Sequence, residues 1–259
     1  MNLGLDNKVA VVTGASRGIG LAVAQALAEE GAVVVGAARS ITPELRAVSP
    51  AAVAVDVATP DGATRLAEHT IAEAGGIDVL VNNVGAFDAR TQGFASVTDE
   101  DWQATLDANL LSAVRVIRAA LPSLIERRGA IVNVSSARAR MPQVAVVDYA
   151  AAKAALTNLG RTLAEELAPQ GVRVNTVSPG PTRTPAWQSD NGFGASLAAA
   201  NGTALDEFLA DFPQRAGLAT GRMTEPDEVA SVVLLLASQR VGNVTGADYS
   251  VDGGQIKTA

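Results

Sequence analysis

The 259 residues carry 27 acidic and 20 basic side chains, a formal charge of −7 that argues against general binding to nucleic acid or an anionic membrane. The absence of cysteine excludes disulfides, thiolate catalysis and cysteine-ligated metal, and fits a reducing, cytoplasmic setting; one histidine, His69, excludes a histidine-pair metal site and disfavours a Ser-His-Asp triad. Hydrophobic residues make up 48% of the chain and aromatics only 3%, so an ample core has to be built from Val, Ala, Leu and Ile. Residues 1–10 show no basic stretch leading into an apolar one, so no secretory leader is read there, and the longest apolar runs fall short of a membrane span.

Short apolar, β-branched runs alternate with longer amphipathic stretches. Strands are expected at 8–13, 33–37, 52–57, 78–81, 130–135, 172–177 and 247–251. Helices are expected at 19–30, 61–74, 99–126 and 149–168, with a short one at 205–212 and another from 224 to 238. Apolar runs without alternation mark strands buried on both faces, and repeated β-α units imply a parallel sheet flanked by helices. No Pro/Gly-rich linker and no repeat interrupts the pattern. The reading is one α/β domain over 1–259, a doubly wound parallel sheet of Rossmann type.

The first strand runs into Thr13-Gly14-Ala15-Ser16-Arg17-Gly18-Ile19-Gly20 and then a helix. In that context glycines let the backbone approach a pyrophosphate, while the helix N-terminus offers free N–H groups. The spacing is G-x-x-x-G-x-G rather than G-x-G-x-x-G. Dinucleotide folds that take NAD place an acid about 20 residues on, to bind the ribose 2′-hydroxyl. Here that position is Ala38, followed by Arg39, with Arg17 on the glycine loop. Two guanidinium groups and no acid point to a 2′-phosphate, hence NADP(H) over NAD(H). Asp56-Val57 at the third strand's end is placed at the adenine edge, and Asn82-Asn83-Val84-Gly85 at the fourth strand's end faces the ligand crevice. Thr98 with Asp101 reads as a helix-capping box, so the acidic cluster there is assigned to structure. Asn109 is a mid-helix asparagine among leucines.

The fifth strand breaks into Ser135-Ser136; thirteen residues after Ser136 comes Tyr149, and four later Lys153, with alanines between. Alanine favours helix, and i, i+4 positions share a helix face, so a phenol and an ammonium are held side by side. A free tyrosine titrates near ~10, and a nearby cation should bring it down toward a useful range.

Taken together these residues resemble the short-chain dehydrogenase/reductase family over nearly the whole chain. The resemblance rests on T-G-x-x-x-G-x-G at Thr13–Gly20, Asp56-Val57, N-N-x-G ending at Gly85, Asn109, Ser136, Y-x-x-x-K, Pro179-Gly180 and Thr245-Gly246 with Val251-Asp252-Gly253-Gly254. Val84 stands where alanine is usual. The resemblance implies Tyr149 as proton donor to a carbonyl, or acceptor in reverse. It implies Lys153 lowering the tyrosine pKa and holding the nicotinamide ribose, Ser136 polarising the carbonyl, and Asn109 holding a water of a proton relay. Gly14, Ser16, Arg17, Gly18, Ile19 and Gly20 would receive the phosphates, Asn83, Val84 and Gly85 the ribose, and Thr182 and Thr184 after Pro179-Gly180 the carboxamide. Residues 185–222 correspond to a substrate lid, with Trp187, Phe193 and Phe212 either lining a pocket or anchoring the lid. Arg138 and Arg140 either meet an anionic substrate group or are solvated or ion-paired. The implied activity is an NADP-dependent carbonyl reductase or alcohol dehydrogenase on a ketone or 3-ketoacyl substrate, in a homotetramer. Its rivals are an NAD-dependent alcohol or steroid-type dehydrogenase and a non-catalytic dinucleotide sensor.

Overall fold

A computed structural model describes residues 2–257; Met1, with which the leader reading begins, and residues 258–259 lie outside it. Seven strands form one wholly parallel sheet in the order β3-β2-β1-β4-β5-β6-β7. These are β1 Val9–Thr13, β2 Val33–Ala38, β3 Val53–Ala54, β4 Val79–Asn82, β5 Ala130–Val134, β6 Arg173–Pro179 and β7 Asp248–Val251. All seven expected strands form, but β3, at one edge of the sheet, is two residues rather than the six expected: after the Val55 N–H bonds to the Ala38 carbonyl, the last residue of β2, the chain turns along the cleft. Chain order reverses between β1 and β4, and a crevice opens at their carboxyl ends, where open α/β sheets bind ligands.

Helices α1 Gly18–Glu29, α2 Pro43–Val48, α3 Pro60–Ala74, α4 Asp99–Leu106, α5 Ser112–Arg127, α6 Val147–Leu167, α7 Pro185–Gln188, α8 Phe193–Ala200, α9 Leu205–Arg215 and α10 Pro226–Ala237 cover the sheet. One apolar cluster joins α1 and α10 to one face and a second joins α3, α5 and α6 to the other, so strand residues such as Val11 and Val12 are buried on opposite sides. The helix α2 was not expected from sequence; Thr42 caps it by accepting from the Leu45 N–H. Thr98 and Asp101 form the capping box expected at α4. At α10 the N-cap is Glu225. The Glu225 N–H donates to the Glu228 carboxylate at 2.8 Å, while the Thr224 hydroxyl donates to the Val251 carbonyl.

The expected helix 99–126 is continuous but not uniform, because Asp107–Leu111 is a π-turn inserted between α4 and α5. By length and apolarity the whole run Asp99–Arg127 would suffice to cross a bilayer, contrary to the sequence reading. Its apolar residues, Val116, Ile117, Ala120 and Leu124 among them, instead pack into the core with α3 and the sheet, which identifies a core helix.

Candidate active site

The crevice is a cleft of about 640 Å³ running across the carboxyl ends of the strands. Its first wall is the β1–α1 turn. Gly14 and Gly18 have φ of +66° and +57°, conformations that favour glycine. At Gly20 the reason is contact: a Cβ there would stand 2.3 Å from the Gly14 carbonyl oxygen and 2.5 Å from the Asn83 amide. Arg17 occupies the N-cap of α1 with no side-chain cap, so the first N–H groups of that helix are free at the cleft. Ser16, Ile19, Arg39, Asp56 and Val57 line the same end. Arg17 and Arg39 are exposed, and neither forms an ion pair among the described residues. The peptide from Ala38 offers no carboxylate.

Of the two asparagines ending β4, only Asn83 belongs to the cleft. Its amide donates to the Thr13 and Gly14 carbonyls at 3.0 and 3.3 Å, bracing the glycine turn from behind. Asn82 is instead buried in the sheet and donates to Asn133 Oδ1 at 2.9 Å, a correction to the expectation that both amides face the ligand. Val84 and Gly85 line the cleft, as do Pro179, Gly180, Thr182 and Thr184 at the far side, where β6 ends. The Thr182 hydroxyl donates to the Gly180 carbonyl, fixing that turn.

At the centre, Ser136 follows β5 while Tyr149 and Lys153 project from the first two turns of α6, and all three line the cleft. Ser135 and Ser136 are separated by their partners. The Ser135 hydroxyl donates to the Lys153 carbonyl at 3.0 Å and contacts the Thr157 hydroxyl at 2.7 Å, which locks it against α6. The Ser136 hydroxyl accepts from the Arg138 N–H and stands beside the Tyr149 phenol. Lys153 is 2% exposed, and its ammonium donates to the Val134 and Val84 carbonyls at 3.0 and 3.3 Å. A third N–H remains for a ligand. Burial pushes this lysine down to about 7.

The electrostatics differ from the sequence expectation. Burial pushes the Tyr149 phenol up, and the groups that oppose this are the Ser136 hydroxyl and the Arg138 charge. The Lys153 Nζ stands 5.7 Å from the centre of the Tyr149 ring, and its hydrogen bonds go to backbone carbonyls. Asn109 braces the neighbouring backbone. It is 1% exposed in the π-turn, where its amide donates to the Ala86 and Thr105 carbonyls at 2.7 and 2.9 Å and its Oδ1 accepts from the Ala86 N–H at 3.1 Å. It thereby fixes the backbone after Gly85, and the cleft is lined at this point by Asp107 and Ala108 instead.

Several residues that the sequence did not mark complete the site. Phe87 packs against Tyr149 with ring centres 4.9 Å apart and meets Phe193 edge-to-face at 5.0 Å. Asp148, buried beside Tyr149, accepts from Arg90 at 2.6 Å and from the Thr105 hydroxyl at 2.8 Å. Burial works against its ionisation, yet Arg90, Thr105 and the Tyr149 N–H together hold its carboxyl below the usual range. The signal for both was adjacency to motifs: Phe87 follows Asn82–Gly85 by two residues, and Asp148 abuts Tyr149. Trp187 and Phe193 line the cleft, whereas Phe212 packs behind Trp187 at 4.7 Å, anchoring the segment. Arg140 is bound to Asp248 through Nη2 at 2.8 Å and Nε at 3.0 Å, outside the cleft; Arg138 lines it.

A family model described as enoyl-(acyl carrier protein) reductase matches residues 14–255. The 3-oxoacyl-(acyl-carrier-protein) reductase FabG of Vibrio cholerae is 36% identical, the match covering 97% of this chain and 98% of that one. The chain belongs to the short-chain dehydrogenase/reductase family. Among solved structures of such reductases, L-sorbose reductase from Gluconobacter frateurii, complexed with NADPH and L-sorbose, is similar at 34% identity over both whole chains, with a TM-score of 0.91. Aldohexose dehydrogenase from Thermoplasma acidophilum matches at 30% identity over 99% of this chain and 96% of that one, with a TM-score of 0.88. This short-chain dehydrogenase/reductase is thus an oxidoreductase for a small-molecule substrate, with the sheet order and crevice described above.

Proposed function

We propose that the protein is an NADP(H)-dependent carbonyl reductase, or alcohol dehydrogenase in reverse, with Tyr149 as the proton-transferring group. The observation that carries this reading is the convergence of Ser136, Tyr149 and Lys153 in one cleft with the free N-terminus of α1 at its other end. Two arginines without an ion pair among the described residues, and the absence of an acid at Ala38, fit a cofactor carrying a 2′-phosphate, as does the NADPH complexed in the sorbose reductase. The cofactor supplies or accepts the hydride when bound. Gly14, Ser16, Gly18, Ile19 and Gly20 would take the pyrophosphate on backbone N–H groups, Arg17 and Arg39 the 2′-phosphate, and Asp56 and Val57 the adenine. Asn83, Val84 and Gly85 would border the ribose, with the free N–H of Lys153 on its hydroxyls, and Pro179, Gly180, Thr182 and Thr184 would hold the carboxamide.

A phenol raised by burial is protonated at neutral pH, which suits donation to a carbonyl oxygen that Ser136 polarises. Asn109 keeps the Ala86 backbone, and through it Phe87, against Tyr149. Residues 185–222, folded as α7 to α9 around Trp187, Phe193, Phe208 and Phe212, cover the substrate and exclude water. The test is NADPH oxidation over a panel of ketones, 3-ketoacyl thioesters and sugars. Replacing Tyr149 with Phe should lower kcat by about 10²–10⁴-fold with NADPH affinity retained; activity that survives the change refutes the mechanism. Ala38→Asp should move cofactor preference toward NAD(H), read as the ratio of kcat/KM for the two cofactors.

A further inference from the structure

The cleft has two ends that differ in charge. Arg17 and Arg39 serve the end formed by β1 and β2, and Asp107, one of the two acids on the wall, is neutralised by Arg115 at 2.8 Å and accepts from the Gln103 amide at 2.7 Å. At the Tyr149 end the wall is apolar, made by Phe87, Val146, Trp187 and Phe193. Into that end projects Arg138, half-buried and without an ion-pair partner among the described residues. Its one side-chain hydrogen bond runs from Nη1 to the Met141 carbonyl at 3.3 Å. Four of the five guanidinium N–H donors are therefore unused. Arg140, two residues on, shows the contrast: it is bound to Asp248 by two nitrogens.

A guanidinium taken partly out of water with no counter-charge carries an uncompensated desolvation cost, which an anionic ligand in the cleft relieves. We propose that Arg138 is the anchor for a carboxylate carried by the substrate, so that the substrates are short oxo acids and the corresponding hydroxy acids. The inference rests on the reductase reading and narrows its substrate class. The position of Arg138, two residues after Ser136, narrows which acids. Arg138 and Tyr149 line the same cleft, and the Arg138 backbone N–H donates to the Ser136 hydroxyl at 3.1 Å, so a carboxylate on this guanidinium and a carbonyl between Ser136 and Tyr149 belong to one small molecule. A phosphate at the far end of a carrier-bound thioester would lie too remote from the carbonyl to meet this group. Arg138 presents a planar fork suited to both carboxylate oxygens, while Tyr149 gives its proton to the carbonyl oxygen at the other end of the same substrate.

The experiment compares kcat/KM for 2-, 3- and 4-oxo carboxylic acids with that for their methyl esters, under NADPH. The wild-type protein should prefer the acid of the best-fitting pair by about 10- to 100-fold. In Arg138→Met that acid-to-ester ratio should collapse toward one, with Arg138→Lys intermediate. The ratio cancels any effect of the lost charge on Tyr149 that both substrates share. Arg140→Ala, which lies outside the cleft, should keep the wild-type ratio. Equal rates for acids and esters in the wild type, or a ratio unmoved in Arg138→Met, overturn the carboxylate anchor and leave the reductase reading standing. If no carbonyl compound is reduced at all, the reductase reading fails. The anchor is then decided by whether an oxo acid, with NADP⁺ present, raises the melting temperature of wild type and not of Arg138→Met.

Discussion

Lys153 is the largest fully buried charged side chain among the described residues, and its titration should be visible in stability. Its pKa of about 7 in the fold stands against 10.5 in an unfolded chain. Between those values the unfolded state binds the extra proton, so stability contributed at this site rises as pH climbs from about 7 toward 10, and the burial penalty is felt in full below 7. The slope is at most ~1.4 kcal/mol per pH unit. Urea midpoints at pH 7, 8 and 9 should show wild type gaining on Lys153→Met as pH rises; parallel curves would mean that the lysine stays charged in the cleft. Above about pH 10 the raised Tyr149 phenol works in the opposite direction, because there the folded state holds the extra proton. The two side chains thus share a helix face but not a simple donor-acceptor relation. The cation that eases ionisation of the phenol in the free protein is Arg138.

Among elements, the long connection between β4 and α4 is held by α6. Arg90 lies in that connection, donates to Asp148 through Nε and Nη2 and to Asp101 through Nη1, and its N–H donates to the Ala145 carbonyl. The same connection carries Phe87, which packs on Tyr149. Asp148→Ala leaves Arg90 and Thr105 without their buried partner and should cost about 3–5 kcal/mol in urea unfolding, since removing one member of a buried pair strands the other. It should also lower kcat by loosening Phe87 against Tyr149, an effect that Asp148→Asn restores in part by keeping the Thr105 hydrogen bond. A second tie runs from the π-turn, where Asn109 holds both the N–H and the carbonyl of Ala86. The inserted turn lies between α4 and α5, and π-bulges of this kind concentrate at functional sites.

At the scale of the whole molecule, the sheet ends on β7, with Tyr249 exposed, and α10 beside it exposes Leu235. We propose that this edge and α6 carry the contacts of a homotetramer. Light scattering on the purified protein should give the tetramer mass, and Tyr249→Asp with Leu235→Asp should reduce the assembly to a smaller one; a monomeric wild type rules the proposal out. The alternation of apolar runs with amphipathic stretches determined the parallel sheet, because strands buried on both faces and helices buried on one leave distinct residue periods. The glycine turn, Ser136 and the Tyr149–Lys153 pair were legible for a similar reason: short-range backbone needs and helical spacing are written in adjacent residues. Sequence could not say that Asn82 would be buried against Asn133 and Asn83 turned to the cleft. Nor could it say that Arg140 would find Asp248, more than a hundred residues away, while Arg138 found no acid among the described residues. Those outcomes depend on which distant groups the packed sheet and helices bring within hydrogen-bonding distance, and burial, the force that moved Tyr149 and Lys153 from their ordinary pKa values, exists only once the chain has closed around them.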